Sequence, residues 1–294
     1  MEYQLISKDE DFYPVIERFR ESGSPIAIDF EEECNLHIYG EHLCIVQVFD
    51  GKDYFIIDTR SMDISKKALE EFFNLDNEKL WFECKSDISL LYRQYGIKVK
   101  NITDLRVYAK ALGFQYGLGK LKEAYLGIAD NGEKKRHQQA NWLKRPISED
   151  NILYALEDVE HLFMLRDVLV AEVEKNHLVK AAKEAMAHVA TIAPQKPGWM
   201  KICNTKLLSR EERVYLRNIF DARERIAKRF NTPAVNVLEK HEIVRLSKNV
   251  PSSRESLSYE LRMAPPRYRK MVVDEIWKAI ERSQTEIRKQ VVNS

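Results

Sequence analysis

Only four cysteines, Cys34, Cys44, Cys84 and Cys203, occur in 294 residues, and no two of them form a C-x-x-C pair. Such scatter argues against a disulfide framework and against a zinc site, and it makes a reduced, cytoplasmic setting the default expectation. No stretch approaches the roughly 18 consecutive apolar residues that a membrane span needs, so no membrane association is expected. The opening residues, Met1-Glu2-Tyr3-Gln4-Leu5, lack the basic-then-apolar order of a secretory signal. Absent as well are internal repeats, low-complexity tracts and any helicase motif such as G-x-x-x-x-G-K-[ST]. What is present is ordinary globular material, 44% hydrophobic, in a chain long enough for a catalytic domain of conventional size and a smaller one.

The net charge of +1 conceals a division. Residues 200–294 carry 21 Lys and Arg against 12 Asp and Glu, a balance of +9, whereas residues 1–199 carry 26 against 34, a balance of −8. An acidic part suits cations and a basic part suits phosphate, a pairing that fits a nuclease with an accessory nucleic-acid module. A basic surface serves solubility as readily, so charge alone leaves both readings open.

Local pattern in the first half alternates between strand and helix. Ile26 to Phe30, His42 to Phe49 and Asp53 to Asp58 are apolar, β-rich runs, the last two joined through Asp50-Gly51-Lys52 as a hairpin. Helical periods run from Lys66 to Phe73 and from Asp87 to Tyr95, with a short strand at Lys79 to Phe82 between them. Thr103 or Asp104 is placed to cap a helix running to Leu112, with Gly113 as its stop. Ile128 to Arg145 is polar and aperiodic, reading as an exposed loop, and a long helical stretch follows from Ser148 to about Val189. This alternation makes the class α/β. Pro194 and Pro197-Gly198 then interrupt the helix. The expected division is a first domain over 1–192, a linker over 193–205, an all-helical domain over 206–284 and a tail over 285–294.

Five residues in this frame carry chemistry. Asp29 and Glu31 lie two apart in a strand, which turns both carboxylates to one face. Tyr154 and Asp158 lie four apart in a helix and likewise share a face. A strand giving two carboxylates and two helices giving one each, Asp87 and Asp158, can build an oxygen-rich cage for hard divalent cations, and such cages cleave phosphodiesters. Taken singly, each acidic residue reads as solvated surface or as a cap; their joint occurrence is the signal. Asp104 is assigned to capping, Glu32 and Glu33 to solvent, and Phe30 and Leu91 to the core.

The order Asp-x-Glu, then Asp, then Tyr-x-x-x-Asp resembles the DEDD superfamily of 3′-to-5′ exonucleases in its tyrosine-bearing subgroup, and more closely the ribonuclease D family. Gly119-Lys120-Leu121, Tyr125-Leu126-Gly127, Gln138, Asn141-Trp142, Arg145-Pro146-Ile147, Tyr154-Ala155, Asp158-Val159 and Leu162 follow that family's order and approximate spacing. Arg223-Glu224-Arg225-Ile226-Ala227, Asn231-Thr232-Pro233 and Val237-Leu238 resemble the HRDC helical domain that often follows such a nuclease. The resemblance covers roughly residues 20–282. It implies a ribonuclease H-like mixed sheet flanked by helices, followed by a small all-α HRDC-like domain.

It also implies two Mg²⁺ or Mn²⁺ ions. Asp29 would bridge both, Glu31 and Asp158 would complete one site, Asp87 would help hold the other, and Tyr154 would orient the attacking water. The implied activity is metal-dependent exoribonuclease action on RNA with a free 3′ end, tRNA precursors or other structured RNAs being the suggested substrates. A repair-type 3′-5′ DNA exonuclease and an inactive RNA-binding adaptor are the alternatives, the first weakened by the absence of a helicase motif and the second disfavoured by the presence of all four carboxylates and the tyrosine. Two positions depart from the family: Phe82 stands where a histidine is common, and Asn141 where an aspartate usually precedes the tryptophan.

Lys135, Gln138 and Arg145, between the second and third motifs, are candidate contacts to the substrate strand, the other reading being that Arg145-Pro146 shapes the N-terminus of the catalytic helix. Trp142 reads instead as packing against the catalytic helix, which Ser148 caps. In the basic part Arg223, Arg225, Lys228 and Arg229 cluster within two helical turns and are candidate phosphate contacts. Nothing in the residues selects RNA over DNA or specifies an oligomeric state.

Overall fold

The structure, a computed structural model, describes residues 1–129, 140–192 and 194–292. Two compact units emerge, Met1–Glu33 with Glu41–Ala193, and Cys34–Gly40 with Pro194–Ser294.

A six-stranded mixed sheet organises the first unit. Its strands are β1 (Tyr3–Ile6), β2 (Ile26–Cys34), β3 (Glu41–Phe49), β4 (Tyr54–Asp58), β5 (Lys79–Trp81) and β6 (Ile102–Asp104), in spatial order β1-β4-β3-β2-β5-β6. β1 runs parallel to β4, β3 antiparallel to β4, and β5 parallel to both β2 and β6. β3 and β4 form the expected hairpin. Asp50 Oδ1 accepts from the amides of Lys52 (2.9 Å) and Asp53 (2.7 Å), closing the turn, and Gly51 adopts φ 91°, where a side chain would be strained.

The residues of β2 determine what each face of the sheet presents. Ile26, Ile28 and Phe30 enter a core shared with α1 (Asp9–Ser22), α2 (Lys66–Phe73) and α3 (Lys85–Tyr95), among them Phe12, Phe72 and Ile88. Ala27 joins a second core with α4 (Leu105–Ala111), α5 (Leu118–Leu126), α6 (Glu149–Glu160) and α7 (Leu162–Lys175), through Leu105, Leu121, Val159 and Leu165. Because side chains alternate along a strand, Asp29 and Glu31 follow Ala27 onto the α6–α7 side. Phe30 packs edge-on against Phe73 (5.7 Å between centroids) and Trp81 (5.0 Å). Truncating a buried phenylalanine costs about 3–5 kcal/mol. Phe30 therefore pins the rotation of β2, and with it the direction of the flanking carboxylates.

The structure departs from the sequence pattern in several places. β1 and β6 are four and three residues long, and pairing with β4 and β5 makes them strands where no local pattern announces one. The stretch after Ser148 is three helices, α6, α7 and α8 (Val179–Met186), not one. The α7 end is a Schellman motif: His177 sits at φ 59°, and the amides of His177 and Leu178 reach the carbonyls of Glu174 and Val173. Glu33 is only 2% exposed, so it is no solvated neighbour of the acidic pair.

The second unit is helical: α9 (Arg210–Arg229), α10 (Lys240–Lys248), α11 (Arg254–Glu260) and α12 (Pro266–Val292). Ser209 and Glu212 start α9 with a reciprocal capping box. Leu216, Ile219, Ala222 and Ile226 of α9 then meet Val272, Ile276 and Ile280 of α12 in one core. The segment Cys34–Gly40 belongs to this unit, where the Tyr39 hydroxyl donates to Glu224 Oε2 at 3.0 Å.

Candidate active site

Asp29 and Glu31 stand in β2, Asp87 in the first turn of α3, and Tyr154 and Asp158 in α6. All five are partly exposed, so solvent reaches them while protein crowds them. Burial raises the Asp29 carboxyl well above the usual carboxylate range, and repulsion from Asp87, Asp158 and Glu31 adds to it. Glu31 is raised well above its usual range by burial first, then by Asp158 and Asp87. Asp87 is pushed up to about 7, by burial and then by Glu32, against hydrogen bonds from Ser86 and Trp81 that oppose the shift. The Tyr154 hydroxyl is likewise raised, by burial and then by Asp158, Glu31 and Asp29. The structure thus brings these five side chains into one electrostatic cluster drawn from β2, α3 and α6.

The supports of the cluster are specific. Trp81, buried at the end of β5, donates from Nε1 to Asp87 Oδ2 at 2.9 Å. Asp104 accepts from the amides of Glu83 (2.7 Å) and Cys84 (3.2 Å), which fixes the turn leading into α3, and from Arg106 N (2.9 Å), which caps α4. Capping is therefore its role, as its position suggests. Trp142 is buried at 2% exposure and packs with Ile152, Ala155 and Leu156, holding α6 against Ile45 of β3. Asn141 Oδ1 accepts from the Leu143 amide at 3.1 Å. Phe82 packs against the α4–α7 core, with the Arg106 guanidinium 5.6 Å from its ring centroid.

Among the candidate nucleic-acid contacts, Lys135 and Gln138 lie outside the described residues. Two others require correction. Arg145 donates to both Asp58 oxygens (2.6 Å each) and to the carbonyls of Trp142, Lys144 and Cys44, so its guanidinium ties β4 to the chain before α6 rather than facing a strand of nucleic acid. Arg223 is 3% exposed, donates to Glu224 and to the Leu238 carbonyl, and lies over the Phe220 ring at 4.8 Å. Arg225, Lys228 and Arg229 are exposed. Arg225 has Glu275 at 3.9 Å, and the Arg229 guanidinium lies 5.8 Å from the Phe230 centroid.

Sequence reading missed Trp81 and Glu32. Trp81 precedes Asp87 by six residues across a strand, a turn and a helix start, a spacing no single periodicity connects. Glu32 points away from Asp29 along β2 by alternation, yet it is the first charge to raise Asp87.

The carboxylate donors are all oxygen, the chemistry that suits Mg²⁺ or Mn²⁺ and not a soft ion. Among the described residues no three His, Cys, Asp or Glu side chains converge as a ready-made ion cage. The cluster is an open one whose members repel one another, and a cation between them relieves that repulsion. On donor chemistry and electrostatics, the residues fit a divalent ion.

Compared with known proteins, residues 3–174 match the family model described as 3′-5′ exonuclease. The ribonuclease D of Gluconacetobacter diazotrophicus is 26% identical over 262 residues, covering 86% of this chain and 65% of the relative. That of a Shewanella species is 24% identical over 267 residues, covering 87% and 66%. The chain thus spans slightly less than two thirds of the length of these relatives. Among solved structures, Escherichia coli RNase D, an exoribonuclease involved in structured RNA processing, superposes with a TM-score of 0.74 at 23% identity, over 95% of this chain and 75% of that one. The catalytic core of RRP6 from Trypanosoma brucei gives 0.74 at 18% identity, over 95% and 80%. At these identities the two structures establish a shared fold. No helix among the described residues is long and apolar enough to cross a membrane.

Proposed function

We propose that this chain, which belongs to the 3′-5′ exonuclease family, is an exoribonuclease that removes nucleotides from the 3′ end of RNA by metal-dependent hydrolysis. The observation that carries this reading is the cluster of four mutually repelling carboxylates on β2, α3 and α6 with a tyrosine held protonated among them. The choice of RNA is supported by the similarity to ribonuclease D proteins over most of the chain. Structured RNAs such as tRNA precursors are the proposed substrates.

Divalent-metal dependence is general in this family. Asp29, Glu31, Asp87 and Asp158 are the residues that would hold two Mg²⁺ or Mn²⁺ ions. When bound, such ions lower the pKa of the attacking water and stabilise the departing 3′ oxygen. The carboxylates supply acceptor-only oxygens whose mutual repulsion makes cation binding favourable. Tyr154, whose ordinary pKa of about 10 is raised further, keeps its proton at neutral pH. It therefore orients the attacking water by hydrogen bonding and is no bulk base. Water adds to the phosphorus of the terminal phosphodiester and the P–O3′ bond breaks. The shortened strand leaves with a 3′ hydroxyl, and a nucleoside 5′-monophosphate is released. Arg225, Lys228 and Arg229 are proposed to contact the strand's phosphates, and the helical unit is proposed to be HRDC-like.

The test is a time course with Mg²⁺ on 5′-labelled single-stranded RNA and matched DNA, run beside Asp29→Asn and beside EDTA. A ladder shortening from the 3′ end of RNA, absent in both controls, is the expected result. Equal loss of DNA would make the enzyme a general exonuclease, and substantial activity in Asp29→Asn would overturn the site.

A further inference from the structure

Gln47 is fully buried in β3, and among the described residues neither its Oε1 nor its Nε2 has a hydrogen-bond partner. Buried amides are normally satisfied, so an orphaned one calls for a physical reason. Its direction is determined by its neighbours. In the β3–β4 ladder Gln47 lies opposite Ile56, which packs with Ile152, Ala155 and Leu156 of α6. Ile45 and Phe49, two residues to either side, pack toward α6 and α7 as well. Paired residues and alternate residues of a strand share a face. Gln47 therefore points to the α6 side of the sheet.

The same face of the adjacent strand β2 carries Asp29 and Glu31, and α6 carries Tyr154 and Asp158. Two other polar side chains on this side of the sheet are engaged elsewhere. Tyr54 bonds Glu160, and Arg145 bonds Asp58. A glutamine here offers one acceptor and two donors on the sheet face that also carries the carboxylates.

We infer that Gln47 is a positioning residue of the carboxylate site, its amide reserved for the water and carboxylate oxygens that surround a divalent cation there. Oε1 accepts from water, and Nε2 donates to water or to a carboxylate oxygen, fixing the donor set without itself ligating. The inference rests on the exonuclease reading, because it takes the acidic cluster to be a cation site.

Two variants test it, Gln47→Met, which keeps length and removes the polar atoms, and Gln47→Glu, which adds a charge facing the cluster. Mn²⁺ affinity is measured by calorimetry on EDTA-stripped protein without RNA, with melting temperature recorded with and without Mn²⁺. Gln47→Met is expected to bind Mn²⁺ about tenfold more weakly, the effect typical of groups that orient metal ligands. Its metal-free melting temperature should be unchanged or higher, because no hydrogen bond is lost. Gln47→Glu is expected to melt lower without metal and to show a larger Mn²⁺-induced rise than the wild type. Wild-type Mn²⁺ affinity in Gln47→Met, or an unchanged Mn²⁺-induced rise in Gln47→Glu, would overturn the inference. Those results with an active wild type would leave the exonuclease reading standing. A wild type that neither binds Mn²⁺ nor shortens RNA would remove both.

Discussion

At the scale of single residues, the largely buried Asp87 makes the ion-free protein sensitive to pH. Its folded pKa is about 7 against an ordinary 3.8, so the folded state binds the proton more tightly than the unfolded chain. The stability this proton confers is fully present below about pH 4 and is lost as pH rises through about 7. Asp29 and Glu31, also raised, act in the same direction. Metal-free protein should therefore melt at a lower temperature at pH 8 than at pH 5.5, and Mg²⁺ or Mn²⁺ should restore most of the difference at pH 8. Thermal melts across that range in EDTA and in metal decide the matter; a flat metal-free profile would mean that the carboxylates are not crowded.

Tyr154→Phe tests a neighbouring claim. If the hydroxyl only orients water, the variant should keep its metal affinity and RNA binding while kcat falls on the order of 10²-fold, at the lower end of what a positioned proton-bearing group contributes. Calorimetry and single-turnover kinetics separate the two. Four of the five side chains, Asp29 with Glu31 and Tyr154 with Asp158, were legible as pairs sharing a face, because spacings of two in a strand and four in a helix are set by the backbone, whereas Asp87 has no such partner and entered only through the order of the family's motifs. Arg223 was misread for want of the same test. It lies four residues after Ile219 and three before Ile226, on the apolar stripe of α9, and that position, not its charge, foretells burial.

At the scale of elements, what could be read locally was read, and what depends on a distant partner was not. The α2 boundaries, Lys66 to Phe73, agree with the apolar period and the Ser65 cap. β1 and β6 owe their existence to β4 and β5, and the assignment of Cys34–Gly40 to the helical unit depends on contacts such as Tyr39 with Glu224. The turn at Gly198 is a similar case. It resembles a linker in sequence, yet a Cβ there would lie 2.6 Å from Phe220 Cζ and 3.0 Å from Cε1. The Phe220 ring also carries the Arg223 guanidinium, so it cannot swing freely without disturbing that contact. Gly198→Ala should destabilise the helical unit by about 1–3 kcal/mol, the usual cost of overpacking. A melting temperature equal to the wild type would show that the ring yields without cost.

At the scale of the whole molecule, the division of charge fits the two tasks proposed for two stretches of chain. The −8 of residues 1–199 includes the carboxylates that suit a cation, and the +9 of residues 200–294 suits a polyanion. Burial of Arg223 narrows the second claim to side chains that are exposed, with Lys228 and Arg229 adjacent at the end of α9. Each phosphate contact to a single strand adds about −0.7 to the slope of log affinity against log salt. If Lys228 and Arg229 both make such contacts, replacing both by alanine should reduce the steepness by about 1.4 and weaken binding most at low salt. The rate at saturating RNA should stay the same, because neither residue belongs to the acidic cluster. Binding titrations over a range of salt, together with single-turnover rates, read the two quantities independently. An unchanged slope would reduce this part of α9 to a solvated face, and the excess of positive charge would then have to act from elsewhere in residues 200–294.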